Sequence, residues 1–273
     1  MSNRESLHRT VWTPAQTPKA AVVLVHGAGE HCGRYEHAAA YFTAHGYEVL
    51  AGDLPGHGRS PGIRGHIDSF DEFIDVAAGW IAEAEERTTG RPVFLLGHSM
   101  GGLISLRLAE AHPAAERLAG IIASSPALRI KMQVPAWKLA AAKALKMIAP
   151  RLLLPSGVRG ITLTRDADIV RAALADPYMH NVMSAKFYYE FTNLMESTLR
   201  DAGLIRKPVC ILHGGADELI DPAATEQLGG LLTVPDREIS VLPGLHHEIM
   251  NEPERREIFR RIVEWMDRRV SAL

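Results

Sequence analysis

Residues 92–102 read PVFLLGHSMGG, and this stretch decides the fold. A short apolar run is followed by a G-x-S-x-G pattern and then by a segment that opens a helix. A serine in this context predicts a sharp turn that exposes its hydroxyl at the end of a buried strand. Gly97 and Gly101 would avoid the clash that side chains cause in such a turn. Ser99 is therefore the candidate nucleophile, the alternative being a plain turn of small residues.

The same alternation of strand and helix extends on both sides of this turn. Apolar runs predict further strands at 20–27, 47–55, 118–126, 208–215 and 237–244. Amphipathic segments predict helices at 33–46, from Ser69 onward, after Pro222 and at 253–269. Strands that are apolar on both faces and joined by helices imply an α/β fold, with a mostly parallel central sheet flanked by helices.

Residues 127–206 interrupt this alternation. The segment shows no clean strand and reads as helices and loops inserted between two strands. We therefore expect a core of residues 1–126 and 207–273, and a helical cap, or lid, of residues 127–206. Ligands of parallel sheets bind at the carboxyl ends of the strands, so the lid is placed to cover the site.

The predicted lid is rich in large apolar side chains, which would either line a channel for an acyl chain or pack the lid onto the body. They are Trp137, Leu139, Leu145, Ile148, Leu152, Leu153 and Leu154, followed by Met179, Met183, Phe187, Tyr188, Phe191 and Leu194. Basic residues accompany the first set: Lys138, Lys143, Lys146 and Arg151. This mixture suits either a solvated helix face or a transient contact with a membrane surface.

Composition narrows the class of protein. The chain has 273 residues, 47% of them hydrophobic and 23% charged, as is usual for a globular protein. A formal net charge of -2 and the lack of a basic run give no reason to expect a nucleic-acid partner. Two cysteines far apart, Cys32 and Cys210, make no disulfide framework. The polar N-terminus lacks an apolar signal core, so a cytoplasmic location is expected.

A serine hydroxyl needs a base to remove its proton and an acid to orient that base. On this type of turn the chain order is serine, acid, histidine. Two loops at the ends of later strands offer suitable residues, namely Asp217, Glu218 and Asp221 in one and His246 and His247 in the other. Asp217 is favoured as the acid because it lies nearest its strand end, whereas Asp221 is placed to cap the following helix. This reasoning leaves the two histidines equal.

The other histidines are less suitable. His98 adjoins the serine and cannot fold back onto it, and His57 precedes the serine in the chain. His112 and His180 fall in helical or inserted segments. In DLPGHGRS (53–60), Asp53 and His57 are interpreted as residues that fix a loop.

An oxyanion formed at Ser99 would need two N–H donors. One should come from Met100, the residue after the nucleophile, and the other from the loop HGAGEH after the first buried strand. Gly27 and Gly29 keep that backbone accessible, which makes Ala28 the natural donor.

Five motifs occur in order: HGAGEHCGRY (26–35), DLPGHGRSPG (53–62), GHSMGG (97–102), HGGAD (213–217) and GLHHEIMNE (244–252). Together they resemble the monoacylglycerol lipase and lysophospholipase-like branch of the α/β-hydrolase superfamily, from about Ala20 to Trp265. The resemblance implies the α/β-hydrolase fold and a serine esterase without metal or organic cofactor. It implies hydrolysis of monoacylglycerol to glycerol and fatty acid through an acyl-enzyme. The alternatives are a lysophospholipase, a general carboxylesterase and a non-hydrolytic ligand receptor on the same fold.

The resemblance also assigns roles to individual residues. It implies Ser99 as nucleophile, Asp217 as acid and His247, the second of the histidine pair, as base. Ala28 and Met100 correspond to the oxyanion donors. Glu30 and Arg34 match polar positions that help seat the glycerol head group. Met250 departs from the pattern, because some members of the family have a second head-group histidine there.

Overall fold

The computed structural model describes residues 7–131, 147–158 and 163–271. The strands found there are β1 (Arg9–Trp12), β2 (Ala20–Val25), β3 (Tyr47–Gly52), β4 (Val93–His98), β5 (Leu118–Ser124), β6 (Leu153–Pro155), β7 (Val182–Ser184), β8 (Val209–Gly214) and β9 (Arg237–Leu242). Seven of these described strands form one sheet in the order β1-β3-β2-β4-β5-β8-β9. All neighbours in it are parallel except β1 and β3. The predicted mostly parallel sheet is confirmed.

Helices cover both faces of this sheet. The described α-helices are α1 (Glu36–Ala44), α2 (Asp71–Arg87), α3 (Met100–Ala111), α4 (Ala167–Ala175), α5 (Ala185–Asp201), α6 (Pro222–Leu231) and α7 (Arg255–Val270). Side chains of α1 and α7, such as Phe42 and Trp265, form the core on one face. Those of α2, α3 and α6, such as Phe73 and Leu103, form the core on the other. None of the helices in the described ranges is long and apolar enough to cross a membrane.

The composition of the central strands explains why they could be predicted from the sequence. Every residue of β2, β3, β4 and β8 is buried, and these strands are mostly apolar, the exceptions being Glu48, His98 and His213. The edge strand β1 was not predicted. It has only four residues, RTVW, and it pairs antiparallel with β3.

The inserted segment differs from the expectation of helices and loops alone. Its described part contains α4 and α5 together with β6 and β7, which pair antiparallel as a separate two-stranded sheet. Each of these strands is three residues long, too short for a periodic signal. Residues 132–146 of the predicted lid lie outside the described residues, and with them Trp137, Leu139, Leu145, Lys138, Lys143 and Lys146. The cap boundaries at 127 and 206 stay a prediction.

The helix α5 joins the inserted segment to the main core. Phe187 and Phe191 pack against Phe70, which precedes α2, with ring centroids 5.1 and 5.6 Å away. Ser184 caps the helix by accepting a hydrogen bond from the Phe187 N–H. One side of the predicted lid is therefore packed into the body of the protein.

Glu110 provides a pH-dependent contribution to stability. It is buried in α3, with its carboxylate 2.9 Å from Arg107. Burial raises the pKa of Glu110 to about 8, although Arg107 acts in the opposite direction. A pKa raised by folding adds stability that is complete below the ordinary carboxyl pKa and is lost as the pH rises through about 8.

We therefore expect the free energy of unfolding to decline with pH more steeply in the native protein than in a Glu110→Gln variant. The amide cannot ionise, so the variant lacks this contribution to the decline. Chemical denaturation at several pH values between roughly 5 and 9 measures both slopes. Equal slopes in the two proteins would contradict the raised pKa.

Candidate active site

The turn between β4 and α3 holds Ser99 in an unusual conformation. Its φ is 52° and its ψ is -115°, in the left-handed half of the map that L-residues rarely adopt. A Cβ on Gly97 would clash with the carbonyl oxygen of Gly101, and one on Gly101 would clash with that of Val25. The G-x-S-x-G pattern is therefore required by close backbone contacts around a strained serine.

We expect Gly101→Ala to destabilise the fold by about 3 kcal/mol or more, because β2 cannot move away without disturbing the sheet. Gly79→Ala is the matched control. It lies on the exposed side of α2, where a new Cβ would have nothing within 4 Å, and it should stabilise the protein by about 0.5–1 kcal/mol. Urea denaturation of both variants measures the difference. Equal stability of the two would contradict the close contact with Val25.

The structure brings Ser99, His247 and Asp217 together at the carboxyl ends of three strands. The Ser99 Oγ lies 2.9 Å from His247 Nε2, and His247 Nδ1 lies 2.6 Å from Asp217 Oδ2. The Ser99 hydroxyl can donate to His247 Nε2, and His247 Nδ1–H can donate to the Asp217 carboxylate, so both donors of this triad have an acceptor. Asp217 is 0% exposed and His247 2% exposed, so water does not compete for these bonds.

The environment keeps Asp217 ionised. Burial would raise its pKa, but the neighbouring His247 ring and the hydrogen bonds that the carboxylate accepts hold the pKa well below its usual range. Two of those bonds come from the backbone N–H groups of Leu219 and Ile220. A charged Asp217 can stabilise a positive charge on His247.

The alternative acids and the other histidine lie elsewhere. Asp221 caps α6 by accepting a hydrogen bond from the Ala223 N–H, as predicted. Glu218 is exposed. The His246 N–H donates to Glu252, while its ring Nδ1 is buried without a hydrogen-bond partner among the described residues.

His98 lies close to the site without reaching the serine. Its ring is 5.0 Å from the ring of His247, and its Nδ1 is 3.2 Å from the Ser124 carbonyl oxygen. Burial, together with His247, lowers the pKa of His98 to about 4. The ring is therefore uncharged at neutral pH.

The loop after β2 lies against the serine. A Cβ on Gly27 would be 2.8 Å from Glu30 Oε1 and 3.3 Å from the Ser99 Cβ, so a side chain at this position would crowd both residues. Ala28 lines the same cavity as Ser99. Met100 is the first residue of α3, and its N–H has no acceptor within the helix. The Gly29 carbonyl accepts a 2.9 Å hydrogen bond from the His180 N–H, which ties this loop to the inserted segment.

The DLPGHGRS motif braces this loop, in agreement with its interpretation as a loop-fixing element. Asp53 accepts hydrogen bonds of 2.8 Å from the N–H groups of Cys32 and Arg59. His26 Nε2 accepts one from the Leu54 N–H. These bonds connect the loops after β2 and β3.

One group of side chains in the described residues is close enough to hold a metal ion. The ligand atoms of His8, Cys32 and Asp53 lie within 4.8 Å of one another. Burial and the adjacent Asp53 raise the pKa of the Cys32 thiol, which opposes the thiolate form that metals bind. Both oxygens of Asp53 already accept backbone hydrogen bonds. The donor set is therefore a poor match for a metal.

Glu30 and Arg34 meet a third charged residue, Glu248. The Arg34 guanidinium binds Glu248 through two hydrogen bonds of 2.8 and 2.7 Å, and Glu30 through one of 2.5 Å. All three side chains are less than a tenth exposed. Burial opposes ionisation of Glu30 and Glu248, but Arg34 and the nearby histidines together lower the pKa of both. Two carboxylates and one guanidinium thus form one polar end of the cavity.

Met250, by contrast, is 1% exposed and packs in the core beside α7. The head-group position that some family members fill with histidine is here part of that core.

The cavity itself has a volume of about 800 Å³, within the range of small-molecule sites. The lining residues include Ser99, His247, Glu30, Arg34 and Glu248. The predicted apolar residues that line it are Leu154, Met179, Met183, Phe187, Tyr188 and Phe191. Leu194 packs in the core, and Ile148, Leu152 and Leu153 are exposed. Both roles that the sequence allowed are therefore found among these residues, Phe187 and Phe191 fill both, and the three exposed residues fill neither.

Sequence reasoning gave no role to two residues of this site, Glu248 and His213. Glu248 directly follows His247, and His213 lies four residues before Asp217 within HGGAD. Both were inside quoted motifs. Their hydrogen-bond partners, however, depend on the direction of each side chain near a strand end, which the spacing of residues in the sequence does not predict.

Comparisons with known proteins agree with this geometry. The family model described as serine aminopeptidase, S33, matches residues 16–254. Phospholipase YtpA of Bacillus subtilis is 36% identical, covering 92% of this chain and 96% of that protein. Monoacylglycerol lipase of Mycolicibacterium smegmatis is 34% identical, covering 94% and 91%. The crystal structure of Paleococcus ferrophilus monoacylglycerol lipase has a TM-score of 0.87 and 38% identity, covering 97% of this chain and 98% of that one.

The matching family spans most of the chain, and the relatives align along nearly their whole length. The sheet order, the serine turn and the inserted segment are those of a hydrolase fold. The chain therefore belongs to the serine aminopeptidase S33 family, and within the α/β-hydrolase superfamily to its monoacylglycerol lipase and lysophospholipase-like branch.

Proposed function

We propose that this hydrolase cleaves monoacylglycerols to glycerol and a fatty acid. The observation that carries the proposal is the series of hydrogen bonds from Ser99 through His247 to Asp217, beside a cavity that is lined by many apolar side chains and has Glu30, Arg34 and Glu248 as its charged end. The apolar wall suits an acyl chain. The charged end suits a head group with hydroxyls.

In the proposed reaction, the Ser99 hydroxyl attacks the ester carbonyl while His247 Nε2 takes its proton. Asp217 keeps the His247 ring in the correct tautomer and stabilises its charged form. The N–H groups of Ala28 and Met100 stabilise the oxyanion, and the loss of one such donor would cost about 3 kcal/mol.

The tetrahedral intermediate then collapses. His247 gives its proton to the departing alcohol oxygen, and the acyl group remains on Ser99. A water molecule, deprotonated by the same ring, attacks the acyl-enzyme and releases the fatty acid.

The charged end favours a neutral head group over a phosphate. The forked face of Arg34 is already occupied by Glu248, and Glu30 takes a further N–H. A phosphate would have to displace a carboxylate and would face two negative charges, an arrangement that costs several kcal/mol. Glycerol hydroxyls can instead donate to the oxygens of Glu30 and Glu248. We therefore place lysophospholipids second among the substrates.

A substrate panel with one acyl chain tests this order. We expect kcat/KM for the monoacylglycerol to exceed that for lysophosphatidylcholine and lysophosphatidylglycerol by at least about tenfold, or about 1.4 kcal/mol. A p-nitrophenyl ester reports general esterase activity, and an aminoacyl nitroanilide tests peptidase activity. Preferred turnover of a lysophospholipid or of the nitroanilide would contradict the proposal.

A fluorophosphonate probe separates an enzyme from a non-hydrolytic receptor of the same fold. An activated Ser99 should be labelled, and prior incubation with monoacylglycerol should slow the labelling. An unlabelled protein that still binds the lipid would favour the receptor. A cytoplasmic location and a transient membrane contact through the lid stay predictions.

A further inference from the structure

Asp217 is bound by a second histidine besides His247. His213, in β8, is 0% exposed, and its Nε2 lies 3.0 Å from Asp217 Oδ2. Its other ring nitrogen, Nδ1, lies 2.7 Å from Thr225 Oγ1, in the first turn of α6. Thr225 is also 0% exposed. A fully buried chain thus runs from Thr225 through His213 to Asp217.

The direction of these hydrogen bonds follows from the chemistry of the groups. An ionised carboxylate only accepts, so His213 Nε2 must carry the proton that it shares with Asp217. In the neutral ring, Nδ1 is then an acceptor, and the Thr225 hydroxyl must donate to it. Asp217 therefore sets the tautomer of His213, and the Thr225 hydroxyl supplies the donor that Nδ1 needs in that tautomer.

The carboxylate of Asp217 is saturated as a result. Its Oδ2 accepts from His213 and His247, and its Oδ1 accepts from the N–H groups of Leu219 and Ile220 at 2.8 and 2.9 Å. A carboxylate offers about four acceptor positions, and here four donors fill them. It cannot rotate without breaking a buried bond.

We propose that His213 and Thr225 are positioning residues, which hold the carboxylate of Asp217 in the orientation that His247 requires. The inference rests on the proposed roles of Ser99, His247 and Asp217. One series of hydrogen bonds runs from Thr225 through His213 to Asp217, and a second runs from Ser99 through His247 to Asp217. Both series end at the same oxygen, Asp217 Oδ2. Removal of the Thr225 hydroxyl would leave His213 Nδ1 as a buried acceptor without its donor, which loosens the His213 ring and with it the carboxylate that the ring holds.

The test compares Thr225→Val with Thr225→Ser. Valine keeps the shape of threonine but has no hydroxyl, whereas serine keeps the hydroxyl and loses a methyl group. We expect Thr225→Val to lower kcat by about tenfold to 100-fold at nearly unchanged KM for the best ester of the panel. Thr225→Ser should stay within about threefold of the native kcat. A packing role predicts the reverse order, because serine leaves a small cavity and valine fills the space.

Thermal unfolding of both variants accompanies the kinetics. If Thr225→Val does not fold, His213→Gln supplies the measurement, with an expected loss of kcat of at least about tenfold. Native kcat in Thr225→Val, or in His213→Gln where that variant is needed, would overturn the inference, as would equal loss in valine and serine variants. Failure of the proposed function is recognised separately, because the native protein would then turn over another substrate of the panel in preference to the monoacylglycerol, or none of them.

Discussion

Ser99→Ala is expected to lower kcat for ester hydrolysis by about 10⁴- to 10⁶-fold. Within the described part of the chain, the Ser99 hydroxyl is the group that lies against His247 Nε2, at 2.9 Å. Without it no acyl-enzyme forms, and the oxyanion donors alone can assist only a direct attack by water. The variant should retain the fold, because alanine at position 99 needs the same backbone and leaves the hydrogen bond from the residue 99 N–H to Ser124 O intact.

Ser124→Ala is the control for this experiment. Ser124 ends the neighbouring strand β5 and is 1% exposed. Its Oγ lies 3.3 Å from Nδ1 of His98, which is not the proposed base. We expect it to keep activity within about tenfold and to react with the fluorophosphonate. Substantial turnover by Ser99→Ala, at normal thermal stability, would contradict the assignment of Ser99 as the nucleophile.

His247→Ala is expected to lower kcat by about 10⁴-fold or more, while His246→Ala should leave activity within a few-fold of native. The two rings are neighbours in the chain, yet only the second lies between Ser99 and Asp217. Measurement of kcat and KM on the same ester, with thermal unfolding of each variant, makes the comparison direct. Loss of activity in His246→Ala alone would show that the base had been placed one residue too late.

Much of the fold could be predicted from the sequence for a physical reason. A parallel sheet covered on both faces needs mostly apolar residues in its central strands, and β2, β3, β4 and β8 therefore stand out as apolar runs with at most one polar side chain each. The edge strand β1 has one partner and only half-buried side chains beyond Arg9, so no such run marks it. The pairing of β6 with β7 joins segments about thirty residues apart and depends on tertiary contacts.

The candidate site was predictable to the extent that chain order constrains it. The order of serine, acid and histidine brought Ser99 and Asp217 forward from the residues alone. His246 and His247 stayed equal on that basis, because adjacent side chains turn opposite ways and the pattern does not say which faces inward. The pairing of Arg34 with Glu248 spans 214 residues, and no local spacing rule reaches that far.

Phe187 and Phe191 belong both to the hydrophobic core and to the wall of the cavity. Directed evolution for bulkier substrates would therefore meet a trade-off, since truncation of either ring removes an anchor of α5 and costs roughly 3–5 kcal/mol of stability. Leu174 also lines the cavity but is 75% exposed, so changes there are nearly free of that penalty. Changes at Phe187 or Phe191 would therefore alter substrate selectivity and thermal stability together, whereas changes at Leu174 could alter selectivity with little effect on stability.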